Sequence, residues 1–533
     1  MTLNLADLFE AVVDTLPDRD CLVCGDERRT YRQLEQRSNQ LAHALVASGV
    51  RPGQHVGIHM RNSVQFVEAM LACLKIRSVP VNINYRYTES ELTYLYTDAQ
   101  LTALIADSEF VPVIEATLTS CPLIETLVTF GPDAGTDGSS VSQLDFEALL
   151  ADQPATRQFP ARSGDDRFVV YTGGTTGMPK GVVWRQEDFF MAALAGGNHD
   201  GPPFTDAAEL AAAAVANPHP MSTLLPAPLM HGAAVYSLFS GFFTGAKQVL
   251  MRAFDPDRAL QLIQDEKVSC VIVVGDAMAR PLTDAIARHG SSFDLSSLVL
   301  VSSGGALWSK SSKDQLLALL PGLYLRDGFG ASESGVDGTL DTDESGVSRV
   351  RGNPNMTLVD ADLRTIEPGS DELGYIARSG HVPLGYFNDE AKTAATFPVV
   401  DGVRMAVLGD MGRIEADGAI VLRGRGSGCI NTGGEKVFPE EVEAVLKSHP
   451  AVMDAVVTGI PHERYGEQVS AVVQLRDDVT DIDTDHLVEH CRTSIAGYKV
   501  PRSITLVPHV VRSPAGKADY RWARSIAAAE TVG

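Results

Sequence analysis

The strongest constraint on the fold of this chain is the stretch YTGGTTGMPKG, which begins at Tyr171 directly after Phe168-Val169-Val170. That apolar run is β-branched and aromatic, so it predicts a buried strand that ends where the glycines begin. Glycine tolerates positive φ, which lets successive backbone N–H groups point at one anion. Lys180 adds a cation suited to phosphate. The stretch therefore predicts a phosphate-binding loop at the end of a strand.

This loop is not of the Walker type, because Gly181 follows Lys180 where that motif needs a Ser or Thr for magnesium. A glycine-threonine turn without a ligand is the alternative. The preceding strand, the threonines, Pro179 and Lys180 together favour phosphate binding. The residues expected to contact phosphate are Thr172, Gly173, Gly174, Thr175, Thr176, Gly177 and Lys180.

Length and charge limit the kind of protein further. With 533 residues the chain is too long for one core, so two or more domains are expected. The 44 Lys and Arg against 68 Asp and Glu give a formal net charge of −24. This charge argues against a nucleic-acid-binding surface, because it would repel a phosphate backbone. ATP and CoA stay compatible as small ligands, provided that cations are concentrated locally.

The cysteines and the apolar segments indicate a cytoplasmic protein. Seven cysteines are scattered along the chain, and an odd, dispersed set predicts no disulfide framework. Cys21 and Cys24 form a CxxC, but a zinc site needs a second pair, so we interpret both as packing residues. The N-terminal segment has no basic region before an apolar core, and the most apolar region, residues 222–243, is interrupted by prolines and glycines. We therefore expect neither a secretory signal nor a transmembrane segment.

Downstream of the loop, several segments carry small or polar residues next to predicted strands. VVGDAMARPL and LVLVSSGGALW each predict a strand followed by a loop. GFGASES places Glu333 after a strand and a Gly-x-Gly turn, where a carboxylate is a hard oxygen ligand for Mg²⁺. A solvated loop or a helix cap is the ordinary alternative for such a residue. His231 lies in the apolar segment PAPLMHGAA, which by itself is more typical of a buried core histidine.

In their order along the chain, these segments resemble the adenylate-forming superfamily of acyl-CoA synthetases, nonribosomal adenylation domains and luciferases. The phosphate loop is similar nearly residue for residue, with Gly173 where the family usually has Ser. The similarity continues through VLGDMG and GRGSG to RSPAGKADYRW, and so covers essentially the whole chain. Several of these motifs also look like an actinobacterial subgroup of acyl-CoA synthetases, some of which activate steroid side-chain carboxylates.

The resemblance implies a role for each matching residue. The catalytic set would be Lys517, Glu333, Thr176 and His231, with Glu333 also the Mg²⁺ ligand and His231 beside the carboxylate that is activated. The nucleotide and CoA contacts would further include Gly304, Gly305 and Ala306 at the adenine, Phe329, Gly330 and Ser332 at the aromatic-glycine motif, Asp410 and Arg425 at the ribose, and Gly433 and Gly434 near CoA. Departures from the usual family residues include Phe329 for Tyr, Ser332 for Thr, Leu408 for Thr and Ala515 for Thr.

We expect an α/β fold with a large multi-layer N-terminal domain, built from βα units and a β-rich subdomain, and a small mobile α+β C-terminal domain. The boundaries are placed at residues 1–424, a glycine-rich hinge at 425–428, and 429–533, which carries the catalytic lysine. Within the hinge, Ser427 lies between glycines and is the expected pivot. Motion spread over several linker residues is the alternative.

The expected function is that of an ATP-dependent acyl-CoA ligase, which activates a hydrophobic acid (a fatty acid or a steroid side-chain acid) through an acyl-adenylate. ATP, Mg²⁺ and CoA are the expected cofactor and co-substrates. A stand-alone adenylation enzyme that loads a carrier protein is the second interpretation, although no Asp-Ser-Leu carrier segment follows Lys517. A luciferase-like oxygenase and a non-catalytic nucleotide-binding protein are further alternatives. Whether the chain acts as a homodimer stays open.

Overall fold

The structure of the protein is a computed structural model that describes residues 3–131, 141–172, 178–199, 201–306, 308–344, 347–425, 428, 430–432, 435–462, 466–479, 482–512 and 517–530. Its α-helices are α1 (Leu5–Thr15), α2 (Tyr31–Ala47), α3 (Val64–Lys75), α4 (Glu89–Asp98), α5 (Val111–Leu118), α6 (Phe146–Ala151), α7 (Gln186–Ala193), α8 (Ala207–Ala216), α9 (Gly232–Phe243), α10 (Pro256–Asp265), α11 (Gly275–His289), α12 (Lys310–Leu319), α13 (Glu390–Thr396), α14 (Pro439–Ser448), α15 (Thr484–Ser494) and α16 (Tyr520–Glu530). Its strands are β1 (Asp20–Cys24), β2 (Glu27–Thr30), β3 (His55–His59), β4 (Val79–Asn82), β5 (Leu101–Asp107), β6 (Thr126–Phe130), β7 (Ser142–Asp145), β8 (Arg167–Thr172), β9 (Lys180–Arg185), β10 (Ser222–Leu225), β11 (Lys247–Leu250), β12 (Cys270–Val273), β13 (Leu300–Gly304), β14 (Tyr324–Ala331), β15 (Gly335–Thr342), β16 (Ser348–Arg351), β17 (Met356–Val359), β18 (Thr365–Ile366), β19 (Gly374–Arg378), β20 (Gly385–Tyr386), β21 (Val399–Val400), β22 (Val403–Arg404), β23 (Ala406–Ile414), β24 (Ile420–Arg425), β25 (Ile430–Thr432), β26 (Glu435–Val437), β27 (Val452–His462), β28 (Gly466–Leu475) and β29 (Ser503–Val507).

Two large sheets form the framework of the N-terminal region. In the eight-stranded sheet the order is β20-β9-β8-β4-β3-β5-β6-β7. In this order, each neighbouring pair of strands from β8 through to β7 is parallel. In the 14-stranded sheet the order is β18-β17-β19-β23-β24-β16-β15-β14-β13-β12-β10-β11-β1-β2, with a parallel block from β1 to β14. Parallel strands need helical crossovers that cover the sheet, which is what the βα alternation of the sequence predicts.

The main hydrophobic core lies between these sheets and the helices that cover them. The rings of Phe9 on α1 and Phe242 on α9 have centroids 5.2 Å apart, and both are fully buried. Leu34, Leu41 and Leu45 recur at helical spacing along α2, and all three are buried in the same core. The amphipathic pattern of the sequence therefore identifies the inward face of this helix correctly.

From β25 onward the chain builds a separate, smaller sheet of five strands. Its order is β26-β25-β28-β27, with β29 parallel to β28. Helix α14 begins at Pro439, where a missing backbone N–H costs nothing, and it buries Val442 and Leu446 against this sheet. The α/β class, with a large N-terminal part and a small α+β unit after it, is confirmed.

One local prediction is wrong. The segment after β12 was expected to be a loop, but the chain passes through Gly275, at φ +53°, straight into α11. The buried face of this helix includes Asp276 and Arg280 beside its apolar residues. Because both residues are polar, they interrupt the apolar periodicity by which a helix is recognised in a sequence. Among the described residues, none of the helices combines the length and the apolar composition needed to span a bilayer.

Candidate active site

A cavity of about 1000 Å³ lies at the carboxyl ends of the central parallel strands. β13 and β14 are neighbours in the larger sheet and supply Gly304, Gly328 and Phe329 to its wall. Gly305 and Ser332 follow in the turns after these strands and line the same space. Ligands of open α/β sheets bind in this position, because the loops that follow the strands converge there. The fold therefore brings the segments SSGG and GFGAS around one common cavity.

Gly304 and Gly305 are adjacent in this wall, and the absence of a side chain serves a different purpose at each. A Cβ on Gly304 would meet only the carbonyl oxygen of Gly328, at 3.9 Å, so a side chain there would extend into open space. Gly305 has φ +87°, a left-handed conformation that other residues rarely adopt. Gly304 therefore keeps the cavity wide, whereas Gly305 is required by the turn. Ala306, the next residue, packs against the apolar core.

Helix α9 forms one long wall of the cavity. Its lining residues recur at spacings of one, three or four positions and share one face: Ala233, Tyr236, Ser237, Ser240 and Gly241, followed by Thr244 at the helix end. The first turn lies next to the strand ends, since a Cβ on Gly232 would be 3.4 Å from the Ser332 hydroxyl. A rise of 1.5 Å per residue places Ser240 about 12 Å further along the helix. The cavity is therefore elongated, with Ser332 near one end.

A phenol orients Glu333, the residue after the cavity-lining Ser332. Tyr386 donates its hydroxyl to a carboxylate oxygen of Glu333 over 3.0 Å. Burial, and then the negative charge of Glu333, raise the pKa of Tyr386, so the phenol stays protonated and can donate at neutral pH. The sequence did not single out Tyr386, because a tyrosine in Gly-Tyr-Phe carries no pattern that marks it as a partner of a distant carboxylate.

Lys180, the cation of the predicted phosphate loop, is held close to the same tyrosine. Its ammonium lies 2.8 Å from Asp389 and 5.6 Å from the centre of the Tyr386 ring, which is within cation–π range. Tyr386 thus contacts both Lys180 and Glu333. Asp389 was not predicted. In this arrangement its carboxylate forms an ion pair with the lysine that is expected to bind phosphate.

Asn82 joins the start of the phosphate loop to the segment that carries His231. Its side-chain amide accepts from the backbone N–H of Tyr171 over 2.9 Å and donates to the carbonyl of Tyr171 over 3.0 Å. It also donates to the carbonyl of Met230. His231 follows as the N-cap residue of α9 and lines the cavity. Asn82 ends β4, and sequence reasoning missed it.

The two residues expected at the ribose meet in neighbouring strands. Asp410 in β23 lies directly opposite Arg425 in β24 in the strand register. The buried Asp337 lies nearby and is paired with Arg378 over 3.2 Å. Burial raises the pKa of Asp337 to about 6; Arg378 opposes this increase, and the charge of Asp410 adds to it.

The C-terminal region also reaches the cavity. Lys517 and Arg512 line it together with Phe329 and Ser332, which are distant in the sequence. The structure therefore places a cation of the small C-terminal unit in the same space as the strand ends of the large N-terminal unit.

Comparison with known families identifies the family of the chain. The profile described as "AMP-binding enzyme" matches residues 9–387, well over half of the chain. The chain is a member of the AMP-binding enzyme family. A second profile, "AMP-binding enzyme C-terminal domain", matches residues 441–517 and so ends at Lys517. The resemblance inferred from the motifs is confirmed at the level of the family.

Relatives of this AMP-binding enzyme match it over nearly their full length. The chain is 44% identical to a 3-oxocholest-4-en-26-oate–CoA ligase of Rhodococcus rhodochrous, covering 98% of this chain and 96% of the relative. It is 43% identical to a medium/long-chain-fatty-acid–CoA/3-oxocholest-4-en-26-oate–CoA ligase of Mycolicibacterium smegmatis, covering 99% and 97%. The crystal structure of the anthranilate CoA ligase AuaEII in complex with anthranoyl-AMP is similar, with a TM-score of 0.86, 25% identity, and coverage of 99% and 98%.

The structure brings together eight of the residues expected to contact ligands around one cavity, whereas Lys180, Ala306, Glu333 and Asp410 are not among its lining residues. The cavity is lined by Thr172, His231, Gly304, Gly305, Phe329, Gly330, Ser332 and Lys517. Residues 173–177, 426–427 and 433–434 lie outside the described residues, so Thr176, Ser427, Gly433 and Gly434 stay predictions, and of Arg425 only the strand position is described. The individual roles assigned by resemblance also stay predictions.

The expected Mg²⁺ fits a site with one protein carboxylate. Within the described ranges, no group of three or more His, Cys, Asp or Glu could hold a metal ion by itself. Mg²⁺ typically takes one or two carboxylates and completes its coordination with phosphate oxygens and water. Glu333, oriented by Tyr386, suits this mode of binding, with a nucleotide supplying the other ligands.

Proposed function

We propose that this AMP-binding enzyme is an ATP-dependent acyl-CoA ligase, which converts a carboxylic acid into an acyl-adenylate and transfers the acyl group to CoA. The observation that carries the proposal is the meeting of Lys517 with His231, Phe329 and Ser332 around one cavity. A cation from the C-terminal region next to a nucleotide-sized space suits a reaction in which negative charge increases on phosphate. The relatives named as CoA ligases, which match over nearly the whole chain, support the same reaction.

In the first half-reaction, an oxygen of the carboxylate attacks the α-phosphorus of ATP, and the bond from that phosphorus to the pyrophosphate oxygen breaks. The attacking carboxylate is already ionised, so no general base is needed. Lys517 would bind the phosphate oxygens as their charge increases, and Ser332 would donate a hydrogen bond to the α-phosphate. Mg²⁺ held at Glu333 would supply charge neutralisation on the phosphates.

In the second half-reaction, the CoA sulfur attacks the acyl carbon of the adenylate, and the bond to AMP breaks. The thiol proton passes to solvent, and AMP leaves with the electron pair. Negative charge increases on the departing phosphate, but AMP is a good leaving group, so this step depends less on Lys517. The two half-reactions therefore differ in their need for the C-terminal lysine.

The cavity also indicates the class of acid. The wall formed by α9 extends about 18 Å from the adenylating end. Its far part carries polar groups, because His199 Nε2 lies 3.3 Å from Ser240 Oγ and both line the cavity with Asn198 and Thr244. A fatty-acid chain is apolar to its end and would leave these groups without a ligand partner. We propose a large hydrophobic acid whose far end carries a hydrogen-bonding oxygen, such as the 3-oxo group of the acids in the relatives' names.

The proposal is tested by pyrophosphate exchange and by mass spectrometry of products, with and without CoA. We expect acid-dependent exchange without CoA, and acyl-CoA plus AMP when CoA is present. Exchange without any acyl-CoA product would instead indicate an adenylation enzyme that loads a carrier protein. Absence of acid-dependent exchange across short, medium, long and steroid acids would refute the adenylation chemistry.

The acid class is tested with a matched substrate pair. A steroid side-chain acid with a 3-oxo group is compared with the same acid lacking that oxygen, with palmitate as a third acid. We expect kcat/KM to favour the 3-oxo acid about tenfold over its deoxygenated analogue, the contribution of about one hydrogen bond. Ser240→Ala should reduce this preference. Equal kcat/KM for the pair in the wild type would refute recognition of a polar far end.

A further inference from the structure

A buried arginine joins the two regions of the chain behind the cavity. Arg280 lies on α11 and is 3% exposed. Its guanidinium donates to the backbone carbonyls of Lys447, Val452 and Met453, each over 2.9 Å. Lys447 belongs to the last turn of α14, whose carbonyls have no partner within the helix. A cation in this position also interacts favourably with the helix dipole.

Strand β27, whose first carbonyls accept from Arg280, is connected by contacts to the segment that carries Lys517. Asp454 is the next residue in β27, and its two carboxylate oxygens accept from Nε and Nη2 of Arg512, each over 2.6 Å. Arg512 in turn forms an antiparallel bridge with Ala518, the residue after Lys517. The path from Arg280 to Lys517 therefore consists of backbone carbonyls, one bidentate ion pair and one β-bridge.

Neighbouring charges and hydroxyls keep this network together. Asp276, one turn before Arg280, accepts from the backbone N–H and the hydroxyl of Ser309, each over 3.0 Å. The other oxygen of Asp276 lies 3.7 Å from Arg280 Nε and 3.7 Å from Lys447 Nζ. Lys447 is also 3.8 Å from Asp454. Because these charges are buried, removing one partner would leave the others uncompensated.

We propose that Arg280 is a positioning residue for the adenylation half-reaction: it docks the C-terminal unit so that Lys517 enters the cavity. This inference rests on the proposed acyl-adenylate chemistry. Among the described residues, the hydrogen bonds that Arg280 donates to the C-terminal unit all end on backbone carbonyls, so they depend on the position of that unit rather than on the identity of its side chains. A pose that withdraws Lys517 from the cavity by moving this unit breaks all of these hydrogen bonds together.

The first test compares the two half-reactions in Arg280→Met. Pyrophosphate exchange should fall about 10- to 100-fold, because the charge-assisted hydrogen bonds that favour the docked pose are lost. Thioester formation from a supplied acyl-adenylate and CoA should fall by less than about threefold. Arg280→Lys keeps the cation with a smaller donor set and should recover part of the exchange rate. Equal losses in both half-reactions would overturn the proposal.

Arg476→Met is the matched control. Arg476 also crosses between the two regions, to Asp284 at 3.1 Å, but this pair is partly exposed. Exposed pairs contribute little, so exchange should stay within about twofold of the wild type. A loss as large as that of Arg280→Met would show that any contact between the regions has the same effect, and would overturn the specific role of Arg280.

The second test asks whether Arg280 acts through Lys517. In a Lys517→Ala background, adding Arg280→Met should lower exchange by less than about twofold further, since the lysine that Arg280 positions is already absent. If the fold-loss of the double variant instead equals the product of the two single fold-losses, Arg280 acts independently of Lys517, contrary to the proposal. Asp454→Asn, which keeps the shape but weakens the link to Arg512, should give the same split between half-reactions if Arg280→Met does not fold.

The third test needs no turnover. Spin labels at the exposed Asp257 and Glu489, whose side chains are 58% and 64% exposed, report the distance between the two regions. Arg280→Met should broaden or shift the distance distribution, and an unchanged distribution would overturn the docking role. If the wild type shows no exchange but the distances do change, the proposed function fails while the docking role stands.

Discussion

Tyr386→Phe removes one hydroxyl beside Glu333 and otherwise keeps the ring. In the wild type this hydroxyl donates to the Glu333 carboxylate over 3.0 Å, and the ring lies 5.6 Å from the Lys180 ammonium. Phenylalanine retains the ring contact with Lys180, so the substitution tests the hydrogen bond alone. If Glu333 binds Mg²⁺, its orientation depends on this phenol.

The size of the effect follows from the kind of bond and its surroundings. A hydrogen bond to a charged group contributes about 1.5–3 kcal/mol, and loss of a partner to a metal ligand changes metal affinity about 10- to 100-fold. Tyr386 is only partly buried, and the neighbouring Lys180 side chain is 37% exposed, so water can replace part of the lost bond. We therefore expect the lower end of this range, about a tenfold weaker affinity for Mg²⁺.

The assay is a Mg²⁺ titration of pyrophosphate exchange. In Tyr386→Phe the half-saturating Mg²⁺ concentration should rise about tenfold, while the rate at saturating Mg²⁺ changes by less than about threefold. Glu333→Gln should raise the requirement further, and the double variant should resemble Glu333→Gln, because the phenol acts through that carboxylate. A titration curve for Tyr386→Phe that overlays the wild type would refute the reasoning.

Three further predictions concern the lysine, the glycine pair and a buried carboxylate. Lys517→Ala should lower pyrophosphate exchange about 10²-fold and leave conversion of a supplied acyl-adenylate with CoA largely intact; equal losses would show a structural role. Gly304→Val should raise the KM for ATP with little change in Tm, whereas Gly305→Ala, at φ +87°, should lower the free energy of unfolding by about 1–2 kcal/mol; similar Tm values for both variants would contradict this. Because the pKa of Asp337 is raised to about 6 in the folded state, the folded protein binds its proton first as the pH falls. The free energy of unfolding of the wild type relative to Asp337→Asn should therefore increase between about pH 7 and pH 4, by at most about 3 kcal/mol, and a flat difference in denaturant titrations would contradict the shift.

Much of the local structure could be predicted from the sequence. The strand at residues 168–170, the buried face of α2 and the start of α14 at Pro439 all follow from patterns within a few neighbouring residues. Such patterns suffice because propensity, capping and amphipathic periodicity depend on contacts within about one turn or one strand. The α11 prediction failed for the same reason: its buried face contains Asp276 and Arg280, whose partners are distant in the sequence.

What the sequence by itself determined is the list of chemical groups, including the phosphate-loop lysine, Glu333 and Lys517, and the family to which they belong. Only the tertiary structure decided which groups meet: Tyr386 with Glu333, and Arg280 with carbonyls of the C-terminal unit. The physical reason is that a backbone carbonyl is present in every residue, so its recognition by a distant arginine leaves no pattern in the amino-acid letters. Such contacts depend on how the chain brings its separate units together in space.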